Sequence, residues 1–131
     1  MCIFCKIINK EIPASFIYED EDVCAFLDMA QVTDGHTLVM PKVHFESILE
    51  CPPVLLSKIF SVTQMLSKDI VSKINANGVN VLTNAREAAG QSVMHFHVHI
   101  IPRYTEDDGL ILKFKGNPTP DLKKIERILK K

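Results

Sequence analysis

The sequence predicts a single, largely antiparallel α+β domain. Three observations lead there. Short apolar runs bounded by turn residues fall in the order strand, strand, strand, helix, strand, strand, helix. That order lacks the regular strand–helix alternation of a doubly wound parallel sheet. The chain has 131 residues, of which 47% are hydrophobic, enough to bury one ordinary core.

Residues 15–28 (SFIYEDEDVCAFLD) read as two strands joined by a tight acidic turn. In the second strand Val23, Ala25 and Leu27 alternate with Asp22, Cys24 and Phe26, so both of its faces are covered. Residues 35–41 (GHTLVMP) form a third strand that Pro41 stops, because proline has no N–H to give to the ladder. From Pro52 to about Ala76 the period changes to that of a helix. Leu55, Leu56, Ile59, Phe60, Thr63, Leu66, Ile70 and Ile74 make its apolar stripe, prolines open it and Asn77-Gly78 closes it. Residues 78–83 (GVNVLT) are a fourth strand and 84–92 (NAREAAGQS) a polar loop. Residues 92–101 (SVMHFHVHII) are a fifth strand, closed by Pro102. A last helix begins with Thr119 as cap and Pro120, its Leu122, Ile125, Ile128 and Leu129 facing inward.

Composition excludes several functions. The net charge of −1 lacks the strong basic balance of a nucleic-acid-binding domain. Lys113, Lys115, Lys123, Lys124, Arg127, Lys130 and Lys131 gather near the end, which reads as a solvated face. No apolar run approaches the ~18 residues that span a membrane, and Lys6, Lys10 and Glu11 interrupt any signal-like start. The expectation is a cytoplasmic protein with four reduced cysteines.

Three of the chain's five histidines sit at alternate positions, 95, 97 and 99. In a strand they share one face, ~6.5–7 Å apart, while Met94, Phe96, Val98 and Ile100 pack beneath the helix. An unpaired imidazole in a dry site costs ~1–3 kcal/mol, so three such residues point to chemistry, either metal binding or proton and phosphate transfer. The outer two lie ~13 Å apart along a strand, too far to share one ion through ~2.1 Å bonds. The histidines therefore have separate tasks. Asn84, Gln91 and Ser92 supply neutral polar groups just before them, with Gly90 allowing close backbone approach.

The stretch HFHVHII resembles the His-φ-His-φ-His-φ-φ signature (φ apolar) of the histidine triad (HIT) proteins. The segments CIFCKIINKEIPA, DVCAFLD, GHTLVMPKVH and GQSVMHFHVHIIPRY are similar to the Hint-like, protein kinase C inhibitor-like branch. The likeness covers about residues 2–104 of a single domain spanning 1–131, and the tail 105–131 matches no motif. It implies a HIT-like fold whose five-stranded sheet joins a second copy's into ten strands in a homodimer. It further implies hydrolysis or transfer at the α-phosphate of purine nucleoside phosphoramidates or related nucleotides. An alternative is dinucleoside polyphosphate hydrolysis, and another is a non-catalytic nucleotide-binding or zinc-dependent interaction protein.

By position, the resemblance makes His97 the nucleophile of a nucleotidyl-histidine intermediate, with no metal needed for the chemical step. His99 orients it, His95 opens the triad, and His36 supports the triad from a neighbouring strand. Asn84, Gln91 and Ser92 contact the phosphate and leaving group, Ser92 helping to protonate a departing amine. Asp28 takes both ribose hydroxyls, and Ile3, Phe4, Ile7, Phe26, Leu27 and Met29 wall the base, although plain core is an equal reading for each. The pair Cys2 and Cys5 lacks the βαβ setting of a thioredoxin-like motif. In some bacterial members the corresponding pair binds a structural zinc with two histidines, here His44 and His95. Substrate selectivity is expected in the tail from Thr105 onward.

Overall fold

The computed structural model describes residues 1–130; Lys131, the last of the basic cluster, lies outside the described residues. The elements are α1 (Ile3–Ile8), β1 (Phe16–Glu19), β2 (Val23–Leu27), β3 (Thr37–Pro41), α2 (Pro53–Lys73), β4 (Gly78–Leu82), β5 (Val98–Arg103) and α3 (Leu122–Leu129). A short 3-10 turn covers Glu87–Ala89. The five strands form one sheet in the order β1-β2-β3-β5-β4, and every neighbouring pair is antiparallel.

The acidic turn between β1 and β2 forms because Asp20 replaces ladder partners with its own carboxylate. Its Oδ1 accepts from the backbone N–H groups of Asp22 and Val23, both at 2.8 Å, and its Oδ2 accepts from Tyr18 Oη–H. Strand alternation then sorts side chains onto two faces. Val23, Ala25, Val39, Val98 and Ile100 pack under Ile59, Val62 and Leu66 of α2. Cys24, Phe26, Leu38 and Met40 point the other way, where Phe4 and Ile7 of α1 cover them. Both faces of β2 are buried, as its unbroken apolar run predicts.

Helix α2 starts one residue later than expected, with Pro52 as its cap. Two of its predicted stripe residues, Phe60 and Ile74, are exposed at the margin of the packed face. Helix α1 was not expected, because six residues are too few to show a period. Cys2 caps it, its Sγ accepting from Cys5 N–H at 3.3 Å.

The fifth strand departs most from expectation. It begins at Val98, not at residue 92, and Pro102 lies inside it opposite Val79. Strand β4 reaches only to Leu82, opposite His99, and β3 pairs only with Val98–Ile100. Residues 92–97 thus have no ladder to join. Pro102 is tolerated because β3 ends its pairing at Ile100, while the Pro102 carbonyl accepts from Thr33 Oγ1–H at 2.6 Å. Phe96, Val98 and Ile100 do enter the core beneath α2, but Met94 is exposed.

The last helix exists, but Asp121 rather than Thr119 caps it, accepting from Lys124 N–H at 3.1 Å. Leu122, Ile125, Ile128 and Leu129 are all exposed, so its apolar side does not face inward. The basic side chains interleaved with them occupy the rest of the surface of an unburied helix.

Candidate functional site

The histidines of the triad lie on the α1 side of the sheet, where Phe4 packs against His95 and His97, and His99 stands beside His97 and His36. His95 and His97 are buried, and His99 is half-buried on β5. Their ring hydrogen bonds fix which nitrogen of each carries the proton.

His97 Nδ1 lies 2.6 Å from the His95 carbonyl oxygen. A carbonyl can only accept, so Nδ1 carries the hydrogen and Nε2 keeps its lone pair. Burial lowers the His97 pKa, outweighing that hydrogen bond and the nearby Asp28 charge, so the ring is neutral near pH 7. The Phe4 ring stands edge-on to it, with centroids 5.0 Å apart at 89°. Thr83 Oγ1–H donates to the His97 carbonyl at 2.6 Å, a tie that no sequence signal marked.

One flank is a chain of protons. Val32 N–H reaches His36 Nδ1 at 3.4 Å, which leaves the hydrogen on His36 Nε2. That nitrogen is 3.0 Å from His99 Nδ1 and 3.6 Å from Asp28 Oδ2. His36 therefore donates to His99 Nδ1, and His99 holds its own hydrogen on Nε2. Burial, with help from His97 and His36, pushes the His99 pKa down to about 4, and burial lowers His36 as well. Both rings are neutral near pH 7, as this ordering requires.

The other flank has no such ordering. His95 Nε2–H donates to the Pro41 carbonyl at 2.8 Å, so its Nδ1 presents a lone pair. Facing that nitrogen are Cys2 Sγ at 3.4 Å, Cys5 Sγ at 3.6 Å and His44 Nδ1 at 3.2 Å, with Cys5 Sγ 3.6 Å from His44 Nδ1. A tetrahedral ion with bonds of ~2.1 Å to nitrogen and ~2.3 Å to sulfur separates its ligands by about 3.4 Å (N···N) and about 3.6 Å (N···S). The measured separations match these edges. The four residues form a cluster that could hold a metal ion. Cys2 caps α1 and Cys5 lies within it, and no βαβ unit surrounds the pair.

The loop residues differ in their freedom. Ser92 is exposed, Asn84 is half-buried, and Gly90 takes a left-handed φ of 94° beside the Asn84 amide. Gln91 is buried: Oε1 accepts from Arg86 N–H at 2.7 Å, and Nε2 donates to the Glu46 and Val93 carbonyls at 2.6 and 3.0 Å. Its N–H groups are already committed, so it braces the loop instead of offering them outward. Phe4, Ile7 and Phe26 are core, Leu27 is half-buried, and Ile3 and Met29 are exposed. Two cavities flank the site. One of about 780 Å³ adjoins Cys5, His44, Glu46 and Ser92, and one of about 470 Å³ adjoins Ser15, Leu27, Asp28 and Met29.

The chain is similar to known proteins over most of its length. The family model described as the HIT domain matches residues 9–106. Protein hit of Bacillus subtilis is 50% identical over 108 residues, 82% of this chain and 74% of the relative. The adenylylsulfatase HINT3 of Arabidopsis thaliana is 39% identical over 106 residues, covering 81% of this chain and 54% of that protein. The crystal structure of a HIT family protein from Bacillus anthracis superposes with a TM-score of 0.91 at 47% identity, covering 98% of this chain and 92% of the other. A run of alternating histidines leading into the central part of a five-stranded antiparallel sheet, two of them buried and one half-buried, together with these matches, establishes that the chain belongs to the HIT family.

Proposed function

We propose that the protein is a nucleotide hydrolase or transferase that acts at the α-phosphate of adenylyl or related purine nucleotides, phosphoramidates foremost. The observation that carries this reading is the tautomer of His97. Its Nδ1–H is held by the His95 carbonyl, which leaves a neutral Nε2 lone pair as nucleophile. In the first step Nε2 attacks phosphorus, the bond from phosphorus to the leaving nitrogen breaks, and the departing amine gains a proton with help from Ser92. In the second, water attacks phosphorus and releases a proton to solvent, the P–Nε2 bond breaks with its electron pair returning to Nε2, and the imidazole regains its neutral form. His99 presents Nε2–H and His36 fixes that orientation, while Asp28 receives the ribose hydroxyls. Leu27 and Met29 beside Asp28 belong to the base side, and the cavity beside Ser92 to the leaving-group side.

Support comes from the family and from a relative named as an adenylylsulfatase, an activity on an adenylyl compound. Dinucleoside polyphosphates would present the same α-phosphate and remain the second substrate class. The donor set of two thiols and two imidazoles suits zinc, which would be held by Cys2, Cys5, His44 and His95. Its contribution when bound is structural, since no chemical step passes through it. A homodimer in the cytoplasm completes the reading: β4 is an edge strand whose ladder groups are open to a second copy. No helix among the described residues is long and apolar enough to cross a membrane.

The deciding experiment is mass spectrometry after mixing the protein with an adenosine phosphoramidate. The expected result is a nucleotidyl adduct on His97 that His97→Ala lacks. Turnover undiminished in His97→Ala would sink the mechanism.

A further inference from the structure

The groups that fix the reacting residues are immediate neighbours of the four converging donors. His44 is followed by Phe45, whose carbonyl accepts from Phe96 N–H at 2.6 Å. Next comes Glu46, whose carbonyl accepts from Gln91 Nε2–H at 2.6 Å. Three consecutive residues thereby join one donor to the nucleophile's segment and to the loop before it. On the other side, Phe4 lies between Cys2 and Cys5 on α1 and sets its ring against His97. His95 belongs to both systems, with Nδ1 among the donors and its carbonyl on His97 Nδ1–H. Residues 92–97 have no strand ladder of their own, so these ties hold them.

We propose that metal binding at Cys2, Cys5, His44 and His95 is a positioning switch for His97, acting through the run His44–Glu46, the His95 carbonyl and Phe4. The inference rests on the reading of His97 as nucleophile and extends it to regulation. A bound ion would tie exposed His44 and helix α1 to buried His95 at the separations the structure already shows. The Phe45 and Glu46 carbonyls then hold Phe96 and Gln91, and Phe4 closes on the nucleophile's ring. Losing the ion frees His44 and slackens both ties, and the nucleophile leaves its productive orientation more often. Displacements near 1 Å suffice to slow a reaction by about 10²-fold. Gln91 and Phe4 are positioning residues in this scheme; neither needs to touch phosphorus.

The test compares chelator-stripped protein with the same protein after one equivalent of Co²⁺, whose thiolate charge-transfer and tetrahedral absorption bands report occupancy. Loading is expected to slow hydrogen exchange at the Phe96 amide, and to speed adduct formation on His97 from adenosine phosphoramidate, each by about tenfold or more. His44→Ala should lose the Co²⁺ bands and both effects, and His44→Cys should restore all three. Gln91→Ala should keep the Co²⁺ bands yet form adduct as slowly as the stripped protein. That variant retains every donor, so it tests the coupling even if the stripped protein unfolds. Equal exchange and equal adduct rates with and without Co²⁺, absence of Co²⁺ bands in the wild type, or full-rate adduct formation in Gln91→Ala would each overturn the proposal. An adduct missing from the loaded wild type would instead overturn the nucleophile reading, and the exchange difference would still decide whether the ion orders the segment.

Discussion

Two clusters flank His97, and each gathers titratable groups within 4.8 Å of one another: Cys2, Cys5, His44 and His95 on one side, Asp28, His36 and His99 on the other. By distance alone both are candidate metal centres. Their hydrogen bonds separate them. In the second cluster, Val32 N–H sets the tautomer of His36, and a proton sits between His36 Nε2 and His99 Nδ1 at 3.0 Å. In the first, the Pro41 carbonyl holds the His95 hydrogen on the far nitrogen, so the near one offers only a lone pair. One cluster is ordered by protons and the other converges as a ligand set. Backbone groups outside each cluster decide which it is, much as outer partners orient metal-bound imidazoles elsewhere.

The largest expected effect lies between the clusters. His97→Ala should lower kcat/KM toward an adenosine phosphoramidate by about 10³-fold or more, while AMP binding measured by calorimetry persists. Comparable losses in kcat/KM and in AMP affinity would show that His97 binds rather than attacks.

Metal content breaks the symmetry of the comparison directly. Cys5→Ser should weaken zinc binding by about 10²-fold or more in chelator competition, since it removes a ligand outright. Asp28→Asn and His36→Ala should keep zinc binding unchanged. Loss of zinc in the latter two would make the proton-ordered cluster the metal centre. His36→Ala should nonetheless reduce kcat/KM by on the order of 10²-fold, because His99 loses the donor that fixes its tautomer. Full activity in that variant would remove His36 from the mechanism.

The proton-ordered cluster also carries a pH signature. The His99 pKa falls from the ordinary 6.5 to about 4 in the folded protein. Between those values the unfolded chain binds the extra proton and the folded one does not, so acidification through this window destabilises the fold. Above 6.5 and below about 4 the group contributes no slope. Urea midpoints should therefore drop between pH 6.5 and 4 more steeply in the wild type than in His99→Gln; parallel slopes would refute the burial argument.

Much of this was readable from residue order, where period and punctuation agree. Strand β2 with Val23, Ala25 and Phe26, and the stripe Ile59–Thr63–Leu66 of α2, follow from local pattern because their partners lie across whole faces. The triad's shared face also followed from alternation. Other features depend on partners that no local pattern displays. The start of β5 depends on where β4 ends, at Leu82. The tautomers depend on the backbone of Val32 and Pro41, and the role of Gln91 depends on a carbonyl at Glu46. Helix α1 was hidden because its cap is a cysteine and its length is six residues.

The smallest effect concerns α3, whose pattern predicted burial that the fold does not provide. Leu122 is 69% exposed, Ile128 61% and Leu129 77%, and no residue of the helix is buried. A helix with one apolar side and nothing against it contributes little to the fold it follows, since exposed substitutions usually change stability by under about 0.5 kcal/mol. Truncation before Thr119 should therefore leave the urea midpoint of the dilute protein nearly unchanged. If a second copy covers that side, burying these side chains would stabilise by roughly 1.5–3 kcal/mol each. The truncation would then cost several kcal/mol, increasingly so as protein concentration rises. A concentration-dependent loss would thus place α3 in an interface, and substrate preference unchanged by the truncation would show that selectivity does not reside in this part of the tail.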